Sequence, residues 1–229
     1  MVQTLQWDSD FFALKIGRVE IHSNEFRDLY KRVCEREKSH DLVYVFANQE
    51  IIQTPENVRL VDIKTIYAKS LSVLPMISNE ISTYTDCIPN DDLYHLALVS
   101  GIHSRYKLDQ QLPDGSYERL YKRWIEQSTN GNMADRVFVH KSNDKIDGMV
   151  TIRIQDNVAS IGLIAVDENT HAKGIGTKLI HAVEHFLLTE TSIRYLNVAT
   201  QWDNAGARRF YEKCGFAVES KTHIYHWWV

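Results

Sequence analysis

Hydrophobic and polar positions follow one rhythm before about residue 88 and another after it. Residues 23–38 place Phe26, Leu29, Tyr30, Val33 and Cys34 on one helical stripe, behind Ser23 and Asn24, which suit a cap. LVYVFA (42–47) and VRLVDIKTIYAKSL (58–71) are rich in β-branched residues and flank a turn containing Pro55, so both predict strands. The first part of the chain, 1–88, is therefore expected to be a small α/β lobe.

From residue 89 onward, Asn90 caps a predicted helix with a stripe of Leu93, Leu96, Ala97 and Ser100, closed by Gly101. A polar loop, HSRYKLDQQLPDGS, leads to a second helix from Tyr117 carrying Leu120, Tyr121, Trp124 and Ile125 and ending near Gly131. The period then falls to 2 through RVFVH, a turn KSNDKIDG, the alternating Val150, Ile152 and Ile154, a turn at Asp156 and Asn157, and VASIGLIAV. That pattern predicts an antiparallel meander. After Gly174 a helical period returns with Leu179, Ala182, Val183, Phe186 and Leu187, followed by a strand YLNVAT, a short helix from Asn204 to Gly215, and an aromatic strand HIYHWW. Trp227 and Trp228 are expected in the core or against a second copy of the chain, as in a homodimer. The fold class read here is α/β with a mixed sheet, in two parts: an N-terminal α/β lobe, 1–88, and a larger domain, 89–229.

Composition narrows the function. Of 229 residues, 44% are hydrophobic and 24% charged, the balance of a globular chain rather than a disordered or fibrous one. With 26 Lys and Arg against 30 Asp and Glu, the net charge of -4 supplies no global field for nucleic acid or an anionic membrane, so an anionic ligand must be held locally. The opening MVQTLQWDSDFF lacks the basic and apolar regions of a leader, and no apolar run approaches the roughly 20 residues of a membrane span, so a cytoplasmic protein is expected. Cys34, Cys87 and Cys214 are odd in number and contain no CxxC, which argues against a disulfide framework or zinc ribbon.

The segment from Val166 to Leu179 leads from a strand into a helix through Gly174 and Gly176. Glycines so placed let backbone approach a ligand, and the first N–H groups of a helix have no partner within it, which together suit phosphates. Lys173 adds a charge. A dinucleotide fingerprint fails because Leu179 stands where the third glycine is needed, and a phosphate-binding GxxxxGK loop fails because Thr177 precedes Lys178. His181, Glu184 and His185 match an HxxEH zinc motif, but the helical stripe places them on the solvated face, and no metal is expected.

SIGLIAV, HAKGIGTKLI and YLNVATQWDNAGARRFYEKCGF resemble, in order and spacing, the two central motifs of the GNAT superfamily of acyl-CoA-dependent N-acetyltransferases. The resemblance implies the GNAT acyl-CoA N-acyltransferase fold and acetyl-CoA as co-substrate. It places pantetheine and thioester contacts at Ile164, Ala165 and Val166, and the pyrophosphate loop at His171, Ala172, Lys173, Gly174, Ile175, Gly176 and Thr177. Asn204 becomes a pantetheine contact as well as a helix cap, and Tyr211 the general acid. The chain departs from the family at His171, where Gln or Arg is usual, and at Ala172, where Gly is common. More narrowly, QWDSDFF, LVDIKTIYA, HSRYKLD and the C-terminal motif resemble bacterial dTDP-4-amino-4,6-dideoxygalactose N-acetyltransferases, implying a dTDP-linked amino sugar acceptor in surface polysaccharide synthesis. Other acceptors within the superfamily are a protein N-terminus, a lysine or another small amine, and an acyl-CoA-binding protein without catalysis is a further reading.

Acetyl transfer needs a neutral amine, stabilisation of charge on the carbonyl oxygen, and a proton for the departing thiolate. Tyr211 can supply the proton. Asp62, the acid of its strand segment that shares a side with Val58, Leu60 and Ile66, is the candidate base, with an ion pair to Lys64 as the structural alternative. Ser104, Arg105 and Tyr106 are the candidates for meeting the nucleotide sugar, since Arg matches a diphosphate and Tyr can stack on a base.

Overall fold

The computed structural model describes residues 2–36, 39–142, 144–170 and 174–229, except for the side chains of Arg32, Cys34, Glu35 and Arg36. Cys34 of the expected stripe, and His171, Ala172 and Lys173 of the expected pyrophosphate loop, thus lie outside the described side chains or residues.

Among the described residues ten strands form one sheet in the order β1-β2-β3-β10-β4-β9-β8-β7-β6-β5. The strands are β1 (Gln3–Thr4), β2 (Ile16–Ile21), β3 (Leu42–Ala47), β4 (Val58–Ser70), β5 (Ile81–Thr83), β6 (Arg136–Ser142), β7 (Lys145–Gln155), β8 (Val158–Val166), β9 (Tyr195–Gln201) and β10 (Ala217–Trp228). The helices are α1 (Gln6–Phe12), α2 (Phe26–Arg36), α3 (Asp91–Ser100), α4 (Arg105–Leu108), α5 (Ser116–Thr129), α6 (Ile175–Glu190) and α7 (Ala205–Lys213). β2–β3 and β8–β9 are parallel and the other described pairs antiparallel, so the sheet is mixed. The sheet continues across residue 88: β4, from the N-terminal part, lies between β9 and β10 of the C-terminal part.

Both faces of the sheet are covered. On one face, Leu179, Ile180, Val183 and Leu187 of α6 and Tyr211 of α7 pack on Tyr67, Val150, Ile152, Leu196 and Val198. On the other, Leu93, Leu96 and Ala97 of α3 and Tyr121 and Ile125 of α5 pack on Val139, Met149, Leu163 and Ala165. Asn90 caps α3 by accepting the Leu93 N–H at 3.0 Å, as its sequence suggests. Trp227 is wholly buried beside Phe26 and Tyr30, a core role for the terminal aromatic strand.

Several local expectations give way. The helix at 23–38 starts with a 3-10 turn, Ser23–Glu25, capped by His22 rather than Ser23, because the Glu25 carboxylate reaches back to the His22 N–H at 2.7 Å. The expected eight-residue turn KSNDKIDG is mostly strand, since pairing resumes at Ser142 and Lys145. The polar loop after Gly101 contains α4. Glu184, expected on the solvated face of its helix, is 4% exposed and pairs with Lys69 of β4 at 2.5 Å, while Lys69 also donates to the Cys214 carbonyl at 2.8 Å. That ion pair ties β4 to both α6 and α7, and it occupies the one carboxylate of the HxxEH motif.

A buried ion pair that loses one partner leaves the other charge uncompensated. Glu184→Ala is expected to lower stability by roughly 2–4 kcal/mol, read as a fall in the urea midpoint. A midpoint equal to wild type would remove the pair from the fold's energetics.

Candidate active site

The site begins with a strand pair that separates. β8 and β9 pair only through Ala159↔Leu196, Ser160↔Asn197 and Ile161↔Val198. Beyond that point β8 stays with β7 as far as Gly148↔Val166, and β9 stays with β4 as far as Lys64↔Gln201. A wedge therefore opens between Gly162–Val166 and Ala199–Gln201. Its cause is a bulge: Val150 pairs Ile164 and Ile152 pairs Ile161, so Gly162 and Leu163 together oppose Thr151. Thr151 Oγ1 accepts the Leu163 N–H at 2.8 Å, and a Cβ on residue 162 would stand 2.8 Å from the same oxygen, which is why glycine occupies it. The extra residue bends β8 away from β9.

The bulge also sets which backbone groups face the wedge. The N–H groups of Leu163 and Asp167 go to Thr151 Oγ1 and to the Asp147 carbonyl of β7. Alternation along a strand then turns the Ile164 N–H toward the opening. Side chains alternate too: Ile164 and Val166 pack on the α6 side and Ala165 on the α3 side.

At the far end of β8 the chain enters α6. Gly174 holds a left-handed φ of 74°, and among the described residues no atom beyond its chain neighbours lies within 4 Å of where its Cβ would be and no side chain caps the helix. The amides of Ile175, Gly176 and Thr177 precede the first intrahelical bond, from the Lys178 N–H to the Gly174 carbonyl at 3.1 Å. The N-terminus of a 16-residue helix, with no side-chain cap among the described residues, suits an anionic group. Gly176 has a packing role as well, since a Cβ there would lie 3.0 Å from the Phe210 ring of α7.

Tyr211 sits at the apex of the wedge. Its ring is 3% exposed and lies 5.8 Å from that of Tyr67, the residue paired with Val198 where β8 and β9 part. Burial pushes its hydroxyl pKa up, which keeps it protonated and suits a donor. Asn204 caps α7, accepting the Ala207 N–H at 3.0 Å.

Asp62 lies two residues beyond the last β4–β9 pair, on the sheet's other face. It lines a cleft of about 410 Å³ with Arg59, Asp109 and Asp203. Asp62 is 9% exposed, and its Oδ1 has no hydrogen-bond partner among the described residues. Burial pushes its pKa up to about 6, assisted by Asp203 and opposed by the positive charges of Arg105 and Lys64. The expected alternative, an Asp62–Lys64 ion pair, is not formed among the described residues: Asp62 is buried with Oδ1 unpartnered, whereas Lys64 is exposed.

Ser104, Arg105 and Tyr106 meet Asp62's surroundings rather than solvent. Ser104 is 3% exposed, and Arg105 donates to the Tyr106 hydroxyl at 2.6 Å while its guanidinium lies over the Tyr106 and Tyr44 rings at 4.4 and 5.2 Å. Tyr44 in turn stacks on His226, whose Nδ1 bonds Asp109 at 2.5 Å. Sequence reading missed Tyr44, Asp109 and His226. The His226 and Asp109 partners are 117 positions apart, and no local period links them.

The family model described as Acetyltransferase (GNAT) family matches residues 99–216, just over half of the chain. The chain belongs to the GNAT acetyltransferase family. A curated relative, spore coat polysaccharide biosynthesis protein SpsD of Bacillus subtilis (strain 168), is 29% identical over 133 residues, which cover 58% of this chain and 45% of that protein. The chain thus matches less than half of that relative's length. Among solved structures, a functionally unknown conserved protein from Staphylococcus epidermidis ATCC 12228 superposes with a TM-score of 0.60 at 13% identity, covering 93% of this chain and 83% of the other. A GCN5-related N-acetyltransferase from Sphaerobacter thermophilus gives 0.56 at 13% identity, with 98% and 74% covered. A tandem GNAT protein from the clavulanic acid biosynthesis pathway gives 0.54 at 16% identity, with 87% and 68% covered. These similarities establish the fold.

The bulge that opens the GNAT wedge rests on one hydroxyl. Thr151→Val keeps the shape but strands the buried Leu163 N–H, and is expected to cost about 1–3 kcal/mol in chemical denaturation, with Thr151→Ser close to wild type. Equal stability of the valine variant would show that the bulge does not depend on that bond.

Proposed function

We propose that this GNAT protein is an acetyl-CoA-dependent N-acetyltransferase whose acceptor is the amine of a nucleotide-linked amino sugar, with the 4-amino group of a dTDP-4-amino-4,6-dideoxyhexose as the specific candidate. The observation that carries the catalytic reading is Asp62: a buried carboxylate with an unpartnered oxygen, held in a cleft beside the open end of the wedge. Similarity to a polysaccharide biosynthesis protein and the resemblance in the sequence support a sugar acceptor used in surface polysaccharide synthesis.

Acetyl-CoA supplies the activated acyl group as a thioester, with its pyrophosphate assigned to the amides of Ile175, Gly176 and Thr177 and its arm to the wedge edge at Ile164, Ala165 and Val166. Asp62 takes a proton from the acceptor ammonium, since a carboxyl with a pKa of about 6 is mostly ionised at neutral pH yet binds a proton far better than an exposed carboxylate. The neutral amine then forms the N–C bond as the C–S bond breaks. The Ile164 N–H, turned toward the opening by the alternation of β8, is the donor this reading assigns to the carbonyl oxygen as charge develops there. The Tyr211 hydroxyl supplies the proton that the departing sulfur takes, and the surplus proton of the acylated nitrogen restores the Tyr211 hydroxyl through solvent.

Two variants test these roles. Because the folded-state pKa of Asp62 is raised, its ionised form costs stability above about pH 6, and that cost is relieved as pH falls toward the unfolded value of 3.8. Asp62→Asn is therefore expected to raise stability at pH 7.5 by about 2–3 kcal/mol, with a correspondingly higher Tm. The same variant is expected to lower kcat/KM about 10²-fold at pH 7 and to lose the wild-type decline below about pH 6. An unaltered pH profile would exclude Asp62 as the base. Tyr211→Phe is expected to lower kcat by about 10²- to 10⁴-fold with acetyl-CoA affinity retained, measured by thiol release and calorimetry. Unchanged turnover would remove Tyr211 from proton transfer.

A further inference from the structure

Immediately after β9, Trp202 is pinned beside β4 by its N–H, which donates to the Ile63 carbonyl at 2.9 Å. Ile63 and the next residue, Asp203, both line the cleft that holds Asp62, so the Trp202 backbone lies beside that cleft. Two cations lie against this one ring. Lys221 Nζ of β10 is 3.2 Å from the ring centroid, and the Arg208 guanidinium of α7 is 3.9 Å from it.

Like charges brought to a single ring repel one another, and each cation–π contact offsets only part of that cost. The usual remedy is a carboxylate. Among the described residues neither Arg208 nor Lys221 forms an ion pair, although the chain carries 30 acidic residues. The Arg208 Nε is buried without a hydrogen-bond partner, while Lys221 is exposed. Arg105, the sequence candidate for a diphosphate, lies over the Tyr44 and Tyr106 rings and donates to the Tyr106 hydroxyl. Arg208 and Lys221 thus bring two unmatched positive charges onto one ring at Trp202.

We propose that Trp202, Arg208 and Lys221 form a docking platform for a nucleoside diphosphate arm of the acceptor, a reading that rests on the N-acetyltransferase function proposed above. A diphosphate carries the counter-charge that the two cations lack, the guanidinium offers it paired donors, and the indole gives a base a face to stack on. The platform is separate from the helix end assigned to the coenzyme. Phe210 of α7 packs against Gly176, and Arg208, two residues earlier and so about 200° around the helix, points away from α6.

Calorimetric titration of the full chain with dTDP, thymidine and inorganic pyrophosphate tests the platform. The wild type is expected to bind dTDP more tightly than either fragment. Trp202→Ala and the exposed-site variant Lys221→Glu should each weaken dTDP by about tenfold or more, Trp202→Phe should retain most affinity, and acetyl-CoA affinity should be unchanged. Pyrophosphate binding as tightly as dTDP, or dTDP affinity unmoved in Trp202→Ala and Lys221→Glu, would overturn the proposal. So would loss of acetyl-CoA affinity in place of dTDP affinity, which would assign the platform to the coenzyme. Thiol release with unlinked amines by a wild type that binds no dTDP overturns the platform and leaves acetyl transfer standing. Weakened dTDP binding in the variants, with no thiol release from any nucleotide-linked amine in the wild type, supports the platform and rejects the enzymatic reading.

Discussion

A parallel strand pair normally satisfies its backbone groups along its whole length, because an unpaired N–H or carbonyl withdrawn from water costs as much as a lost hydrogen bond. Here β8 and β9 abandon each other after Ile161 and Val198, forced apart by the two-for-one bulge of Gly162 and Leu163 on Thr151. Each strand keeps its outer neighbour, so the sheet remains one body while an edge of β8 is left facing a wedge. The other parts of the site are placed around that separation. Tyr211 lies at its apex, the uncapped start of α6 lies past the end of β8, and Asp62 lies past the end of β9.

The two faces of the sheet give the two candidate residues different surroundings. On the α6 and α7 face the surroundings of Tyr211 are apolar rings, which keep a phenol neutral. The opposite face is crowded with polar groups: Asp62 Oδ1, Tyr44 Oη, Arg105 Nε and His226 Nε2 are all buried without a partner. Buried polar atoms left unpaired are expensive, and their concentration around one carboxylate marks a region shaped for something other than stability. Asp62 is the sharpest case, since its burial raises its pKa to about 6, the proton affinity that the proposed base would need. Glu184, equally buried, shows the contrasting structural solution, for it is neutralised at once by Lys69.

Much of the local structure was legible in the sequence. The strands at 42–47 and 58–70, the meander of β6 to β8, and the helices opened by Asn90 and Asn204 follow directly from their periods and caps. What escaped had weak or misleading local signals. QWDSDFF makes only a seven-residue helix, and IGRVEI breaks its alternation with a glycine and an arginine, yet both are fixed by packing and by parallel pairing with β3. Arg105 and its neighbours read as a solvated loop because their composition is polar, whereas α4 is folded back over Tyr44 of β3 and the cleft formed with β4.

The sequence by itself determined the elements, the glycine-bearing turn into α6 and the order of motifs, since these depend on residues within about four positions of one another and on φ values that few side chains tolerate. The tertiary structure alone decided which strand lies between β9 and β10, which carboxylate loses its counter-ion and which cations gather on Trp202. Those outcomes depend on register and burial between segments more than a hundred residues apart, such as Asp62 opposite Ile224 or Lys69 against Glu184, and no period along a single segment encodes them.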